Sequence, residues 1–359
     1  FVTVYPFCSR DKKYKEDKAL EIKQVVITGQ NQVELQKSEL DEKNLATNEL
    51  FIETEYTFIS TGTELANYTG REPKVFQPGS WCAYPWRSGY ANVGIVKAVG
   101  EGVTRAKVGD RVFTYGNHAS ALRYRETSLV KIVPDDIDPG IAAASRMAGV
   151  SATAFIVAEI KENPWVAVFG LGLVGNLACQ MLQLKGCKVI GVDPVEHRRK
   201  LAEKCGIKWT IGGSADEVHK AIAEITNGAM ANITVDAVGH SAVIMQALRE
   251  TATFGQIIIL GSPRVEVQSN LTELLSDVHL RWITIRGALE WCIPMYPEGE
   301  KGISQFTKQE MIFDWIRSGE LKIEPLVSHK LKPEQIKEAY EGLLNHPETY
   351  TGVLLDWKN

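Results

Sequence analysis

From Pro164 to Gly261, short apolar runs alternate with segments of helical period, and this alternation restricts the fold more than any other feature of the chain. WVAVFG (165–170) precedes LACQMLQL (177–184), and CKVIGVD (187–193) precedes HRRKLAEKC (197–205). KWTIG (208–212) leads to ADEVHKAIAEI (215–225), NITVDAVG (232–239) to AVIMQALRET (242–251), and QIIILG (256–261) closes the series. Strands that alternate with helices form crossovers on a parallel sheet with helices on both faces. The runs carry no polar alternation, as strands buried on both sides require. The expected class is α/β with a doubly wound parallel sheet, continued by ITIRGAL (283–289) and a helix near Lys308–Arg317.

Before residue 155 the pattern differs. FIETEYTFIS (51–60), VGIVKAVG (93–100), DRVFTY (110–115) and SLVKIVP (128–134) read as short strands broken by glycine turns. Near the end, Ile336, Ala339, Tyr340, Leu343 and Leu344 share one helical face, and TGVLLDW (351–357) reads as a strand returning to the first domain. With 359 residues the chain is long enough for two domains. Forty Lys and Arg stand against 44 Asp and Glu, a net charge of −4. That balance argues against a nucleic-acid or anionic-membrane binder, which needs a basic face. No apolar run reaches the roughly 18–20 residues of a membrane span, and the opening FVTVYPFCSRDKKYKED does not read as a secretory signal. The six cysteines, at 8, 82, 179, 187, 205 and 292, form no CxxC pair; reduced thiols and a cytoplasmic location are expected.

The sharpest motif is Gly170-Leu171-Gly172-Leu173-Val174-Gly175. A bare GxGxxG is common by chance, but this one follows a buried strand, opens a helix, and is followed by an acid, Asp193, at the end of the next strand. The first glycine permits the tight turn, the second lets backbone approach a pyrophosphate, and the third lets helix pack on strand. The helix N-terminus offers free N–H groups and the positive dipole end to phosphates. Asp193 suits a ribose diol and repels a 2′-phosphate, which favours NAD; Arg198 and Arg199 leave NADP open. Methyltransferases also use a Gly-rich first turn, but rarely with so large a β-rich leading domain.

ISTGTELANYTG (59–70), GYANVGIVKAVGEGVTRAKVGDRVF (89–113), AAASRMAGVSATAF (142–155), the glycine turn and the tail from Leu321 together resemble the medium-chain dehydrogenase/reductase superfamily. The likeness is to its zinc-type alcohol and polyol dehydrogenase-like branch. It implies a GroES-like catalytic domain formed by residues 1–155 and 319–359, with a Rossmann-type nucleotide domain, 156–318, inserted. It also places Gly261, Ser262 and Arg264 near the cofactor. The branch usually binds catalytic zinc, and here the sequence departs from it. Thr61 stands at the Cys position, Tyr90 at the His of Gly-His-Glu, and Arg146 at a Glu position. Zinc requires thiolate, imidazole or carboxylate donors. The four-cysteine structural lobe after GDRV is also absent, since no Cys falls in 111–150. No metal is expected.

Without a metal, another group must supply a proton or positive charge at the substrate oxygen. Tyr90 either transfers that proton, its pKa lowered by Arg146, or merely fills the vacated cavity. His118 is either a relay or a structural histidine. By resemblance Thr63 holds the proton-relay hydroxyl position, and Glu64 an acidic position beside the metal. The aromatic stretch Trp81, Tyr84, Trp86 and Tyr90 either walls a substrate pocket or packs a loop. The expected activity is an NAD(P)(H)-dependent, zinc-independent interconversion of alcohol and carbonyl on a small polyol- or sugar-like molecule. A quinone or enone reductase is the alternative, and a non-catalytic nucleotide-binding protein the third reading. A homodimer or homotetramer is expected by resemblance, through the edge run Ile283–Leu289.

Overall fold

The computed structural model describes residues 19–299 and 302–358. Its nucleotide-type half is a six-stranded parallel sheet. The strand order is Trp209–Ile211, Lys188–Val192, Trp165–Phe169, Ala231–Asp236, Thr251–Ile259 and Thr284–Gly287. Chain order reverses beside Trp165–Phe169, which opens a crevice at the carboxyl ends of the strands. Alternation along that strand feeds two cores. Val166 and Val168 join one face with Leu177 and Met181, while Ala167 and Phe169 join the other with Ile222 and Ala247.

The other half is a seven-stranded sheet centred on Glu49–Phe58. That strand pairs antiparallel with Asn92–Val99, with Ala121–Arg125, and with Val353–Asp356 near the end of the chain. The hairpin Leu20–Gly29 and Gln32–Leu40 adds a smaller sheet, closed by Trp86–Arg87.

The helix Pro139–Val157 sits between the halves. Asp138 caps it by accepting from the N–H groups of Gly140 and Ile141, and Pro139 fixes its first turn. With 19 residues it is long and apolar enough to cross a bilayer, which the sequence reading did not anticipate. It is instead a core helix, 72% buried and interrupted by Arg146. It packs on the helices Leu173–Leu184 and Gln305–Arg317 and on the strand Glu49–Phe58. One apolar core therefore runs from Phe58 and Ala91 through Ala148 to Val168.

Candidate active site

The helix Leu173–Leu184 begins at the glycine turn, in the crevice. Gly170 takes φ +91°, and a Cβ on Gly175 would stand 1.7 Å from the Gly170 carbonyl oxygen, so helix and turn close on bare backbone. Gly172 caps the helix without a side-chain bond, and a Cβ there would meet nothing within 4 Å. The first helical N–H groups thus face open space. That space is a cleft of about 450 Å³ lined by Gly170, Gly172, Leu173, Val174, Gly175, Arg198, Ser262 and Arg264. On the opposite wall stand Thr61, Gly62 and Met147. The cradle fits a dinucleotide pyrophosphate.

The other sequence-predicted cofactor residues have structural work as well. Asp193 is 1% exposed; its Oδ2 accepts from Leu171 N at 2.7 Å and its Oδ1 from Val195 N at 2.8 Å. Arg198 Nη1 lies 3.6 Å from that carboxylate, while Arg199 turns away to the Asp193 and Pro194 carbonyls. Gly261 is packed against the Gly239 backbone, so Ser262, rather than Gly261, reaches the cleft. Arg264 is engaged by Glu72 at 3.1 Å.

Tyr90 meets two hydroxyls, those of Ser60 and Thr63, both at the start of the helix Thr61–Tyr68. Beneath its ring lies Arg146, whose guanidinium carbon is 4.8 Å from the Tyr90 ring centre, 4.3 Å from that of Tyr115 and 5.3 Å from that of Trp291. Arg146 Nε donates to the Tyr90 carbonyl at 3.2 Å. Tyr90 and Arg146 converge, but the expected lowering of the phenol pKa does not follow. Burial pushes the phenol above its usual value, and Arg146 and the two hydroxyls only partly offset that rise. The phenol therefore holds its proton at neutral pH, as a donor must.

His118 and Glu64 form a separate, fully buried group. Glu64 Oε2 contacts His118 Nε2 at 2.9 Å and accepts from Tyr340 Oη at 2.7 Å, and Glu64 Oε1 accepts from the Ser60 N–H at 2.7 Å. The imidazole lies behind Gly89, where a Cβ would stand 2.6 Å from its Cγ. Like Tyr90 and Arg146, it is not among the residues that line the cofactor cleft, where Thr61, Gly62 and Met147 stand. Its link to Tyr90 is indirect, through Glu64 and the backbone of Ser60. Of the aromatic stretch, Tyr90 alone meets Arg146; Trp86 pairs with the strand Leu20–Gly29, and Tyr84 donates to the Asn67 carbonyl.

Sequence reasoning missed Ser60 as a partner of Tyr90, and also Glu290 and Lys308. Glu290, 5% exposed, accepts from Arg146 Nη1 at 3.0 Å and Lys308 Nζ at 3.1 Å, and takes Nη2 on its other oxygen. The only available signal was the presence of a buried Arg in an apolar helix, which requires an acid from somewhere.

The chain matches the model of the alcohol dehydrogenase GroES-like domain over residues 48–161 and that of the zinc-binding dehydrogenase over residues 174–300. It is 24% identical to L-threonine 3-dehydrogenase of Bacillus subtilis strain 168, over 77% of this chain and 85% of the relative. It is 23% identical to D-guloside 3-dehydrogenase of Shigella flexneri, over 86% and 93%. The fold matches that of a short chain alcohol dehydrogenase from Escherichia coli CFT073, solved with NADH, with a TM-score of 0.76 at 20% identity over 94% of this chain and 99% of the other. The chain belongs to the zinc-type, alcohol dehydrogenase-like medium-chain dehydrogenase/reductase superfamily. Within it, this protein is an NAD(P)-dependent oxidoreductase.

One of the two matching models is named for zinc-binding dehydrogenases, so the donor set matters. Thr61 Oγ1 is buried without a partner, Tyr90 is a protonated phenol, and Arg146 is a cation already clamped by Glu290. Among the described residues no three His, Cys, Asp or Glu side chains gather in a group that could hold a metal ion. These residues do not fit a zinc ion at the family position.

Proposed function

We propose that this protein interconverts an alcohol and a carbonyl without zinc, on a small hydroxylated substrate of polyol or sugar type, with NAD(H) preferred over NADP(H). The observation that carries the reading is the Tyr90 phenol, its hydroxyl against those of Ser60 and Thr63 and its ring over a buried guanidinium. When bound, the nicotinamide supplies or accepts the hydride at the substrate carbon. In the reductive direction Tyr90 gives its proton to the carbonyl oxygen as that oxygen becomes an alcohol, and a proton from solvent restores the phenol by way of the Ser60 and Thr63 hydroxyls, each giving one proton and taking another. In oxidation the same atoms run in reverse. Glu64, fixed by His118 and Tyr340, holds the Ser60 backbone and so aims its hydroxyl at Tyr90. Asp193, an acid held beside the glycine turn by the Leu171 N–H, supports NAD, and the names of the threonine and guloside relatives support a hydroxyl-bearing substrate.

We also take the protein to be cytoplasmic and to associate through the sheet edge Thr284–Gly287 as a homodimer or homotetramer. Around that edge Leu280, Trp282 and Leu289 are exposed.

The test is an NADH assay of wild type and Tyr90→Phe against ketoses, sugar lactols and quinones. Tyr90→Phe is expected to lose about 100-fold in kcat, the low end of acid–base contributions, with NADH affinity unchanged. Wild-type kcat retained by Tyr90→Phe, or activity abolished by a chelator and restored by zinc, defeats the mechanism. Turnover of quinones alone moves the activity to quinone reduction.

A further inference from the structure

The cluster beneath Tyr90 contains more charge than it needs to hold itself together. Three separated segments build it: the helix Pro139–Val157 supplies Arg146, the turn Glu290–Cys292 supplies Glu290, and the helix Gln305–Arg317 supplies Lys308. All three side chains are buried. Glu290 takes both terminal nitrogens of Arg146 and, on Oε2, Lys308 Nζ at 3.1 Å. Two cations therefore share one carboxylate, and one positive charge is left over.

Stability does not explain this arrangement. Burying each ion costs several kcal/mol, and well-packed apolar side chains of similar volume often serve as well or better. Arg146 and Glu290 alone would make a balanced pair; Lys308 unbalances it. Nor does the surplus charge face water. Tyr90, Tyr115 and Trp291 enclose the guanidinium, and Gln305 ties the layer down by donating to the Glu290 carbonyl while accepting from Tyr115 Oη at 2.9 Å. A charge fixed in a water-poor site acts strongly on charge that develops beside it and needs no reorganisation.

We infer that Lys308 is a positioning residue which, by sharing Glu290, keeps the Arg146 charge uncompensated under Tyr90, so that the negative charge left on the Tyr90–substrate oxygen pair is stabilised by protein cations. This deepens the proposed reaction and rests on Tyr90 as its proton-transfer group. Neither Glu290 nor Lys308 needs to touch substrate; each acts through Arg146.

The experiment compares wild type, Lys308→Met, Lys308→Gln and Lys308→Arg in NADH-dependent reduction of the best substrate, with NADH affinity and thermal melting measured alongside. Loss of the lysine charge is expected to lower kcat at least about tenfold while KM and NADH affinity stay within about twofold, the signature of a term felt in the transition state. Lys308→Arg is expected to retain kcat within about threefold, because the charge is restored. Lys308→Gln keeps a donor to Glu290 and decides the matter if Lys308→Met does not fold. Wild-type kcat in either folded neutral variant overturns the inference, as does an equal loss in Lys308→Arg. Wild type that binds NADH but turns over nothing fails the proposed function first and this inference with it. Wild type that turns over normally beside an equally active Lys308→Gln fails this inference alone.

Discussion

The glycine turn and the charge cluster adjoin the same helix, Pro139–Val157, and are built by opposite means. The turn is backbone, contiguous from Gly170 to Gly175, and works through what its residues lack. The cluster is side chain, drawn from positions as far apart as 146 and 308, and works through what each residue carries. A backbone site fails by steric insertion, whereas a charge site fails by losing a counter-ion. The two should therefore respond differently to the smallest changes.

The largest effect is expected at the cluster. Glu290→Gln leaves Arg146 and Lys308 buried without their counter-ion, and breaking a buried ionic group this way costs about 3–5 kcal/mol. Thermal or denaturant unfolding measures this; a variant as stable as wild type would show that the cluster is not an energetic unit. Within the turn, Gly175→Ala drives a methyl into the Gly170 carbonyl. It is expected to cost up to about 3 kcal/mol and to abolish measurable NADH binding.

Gly172→Ala sharpens the contrast. Its φ of −62° is ordinary and its Cβ meets no protein atom, so stability should stay within about 0.5 kcal/mol. Yet the methyl stands where a pyrophosphate would approach, and NADH affinity should fall about tenfold by titration. Equal losses of stability in the two glycine variants would break the comparison.

The gentlest probe is pH. Burial lowers the Lys308 pKa; Glu290 partly opposes this and Arg146 adds to it, giving about 8 instead of the usual 10.5. Burial alone would raise Glu290, but Arg146 and Lys308 hold it below the usual carboxylate range. Above about pH 8 the lysine becomes neutral in the folded protein and the surplus charge disappears, so kcat should decline there. Stability should not follow it down. Between the folded value and 10.5 the unfolded chain binds the extra proton, so this group makes unfolding less favourable as pH rises. In Lys308→Arg the alkaline decline in kcat should move away; an unchanged decline would assign it to another group.

How much could be read in advance follows from the same contrast. The strand runs 165–170, 187–193, 232–239 and 256–261 fall on Trp165–Phe169, Lys188–Val192, Ala231–Asp236 and Thr251–Ile259, because a strand buried on both sides writes its burial into consecutive residues. The hairpin Leu20–Gly29 and Gln32–Leu40 escaped notice. Its second strand is largely half-exposed and polar, QVELQKSEL, and only pairing reveals it. The helix Thr61–Tyr68 was read only as a motif, since eight residues with an internal glycine give little periodic signal. Tyr90 and Arg146 could be singled out because they replace residues of a recognisable pattern, and Thr63 because it keeps a position of that pattern. Glu290 and Lys308 belong to no pattern. One follows an edge strand and the other sits in a helix full of charges, and only folding brings them within 3.1 Å of each other.

The pairing of Val353–Asp356 with Glu49–Phe58 has a consequence for synthesis. That late strand lies inside its sheet, between Glu49–Phe58 and His329–Leu331, so the sheet begun near residue 49 cannot be completed until residue 356 has left the ribosome. The six parallel strands from 165 to 287 have all emerged by then. The nascent chain can thus complete its middle sheet before its first one, and the side of Glu49–Phe58 that takes Val353–Asp356 waits unpaired for most of translation.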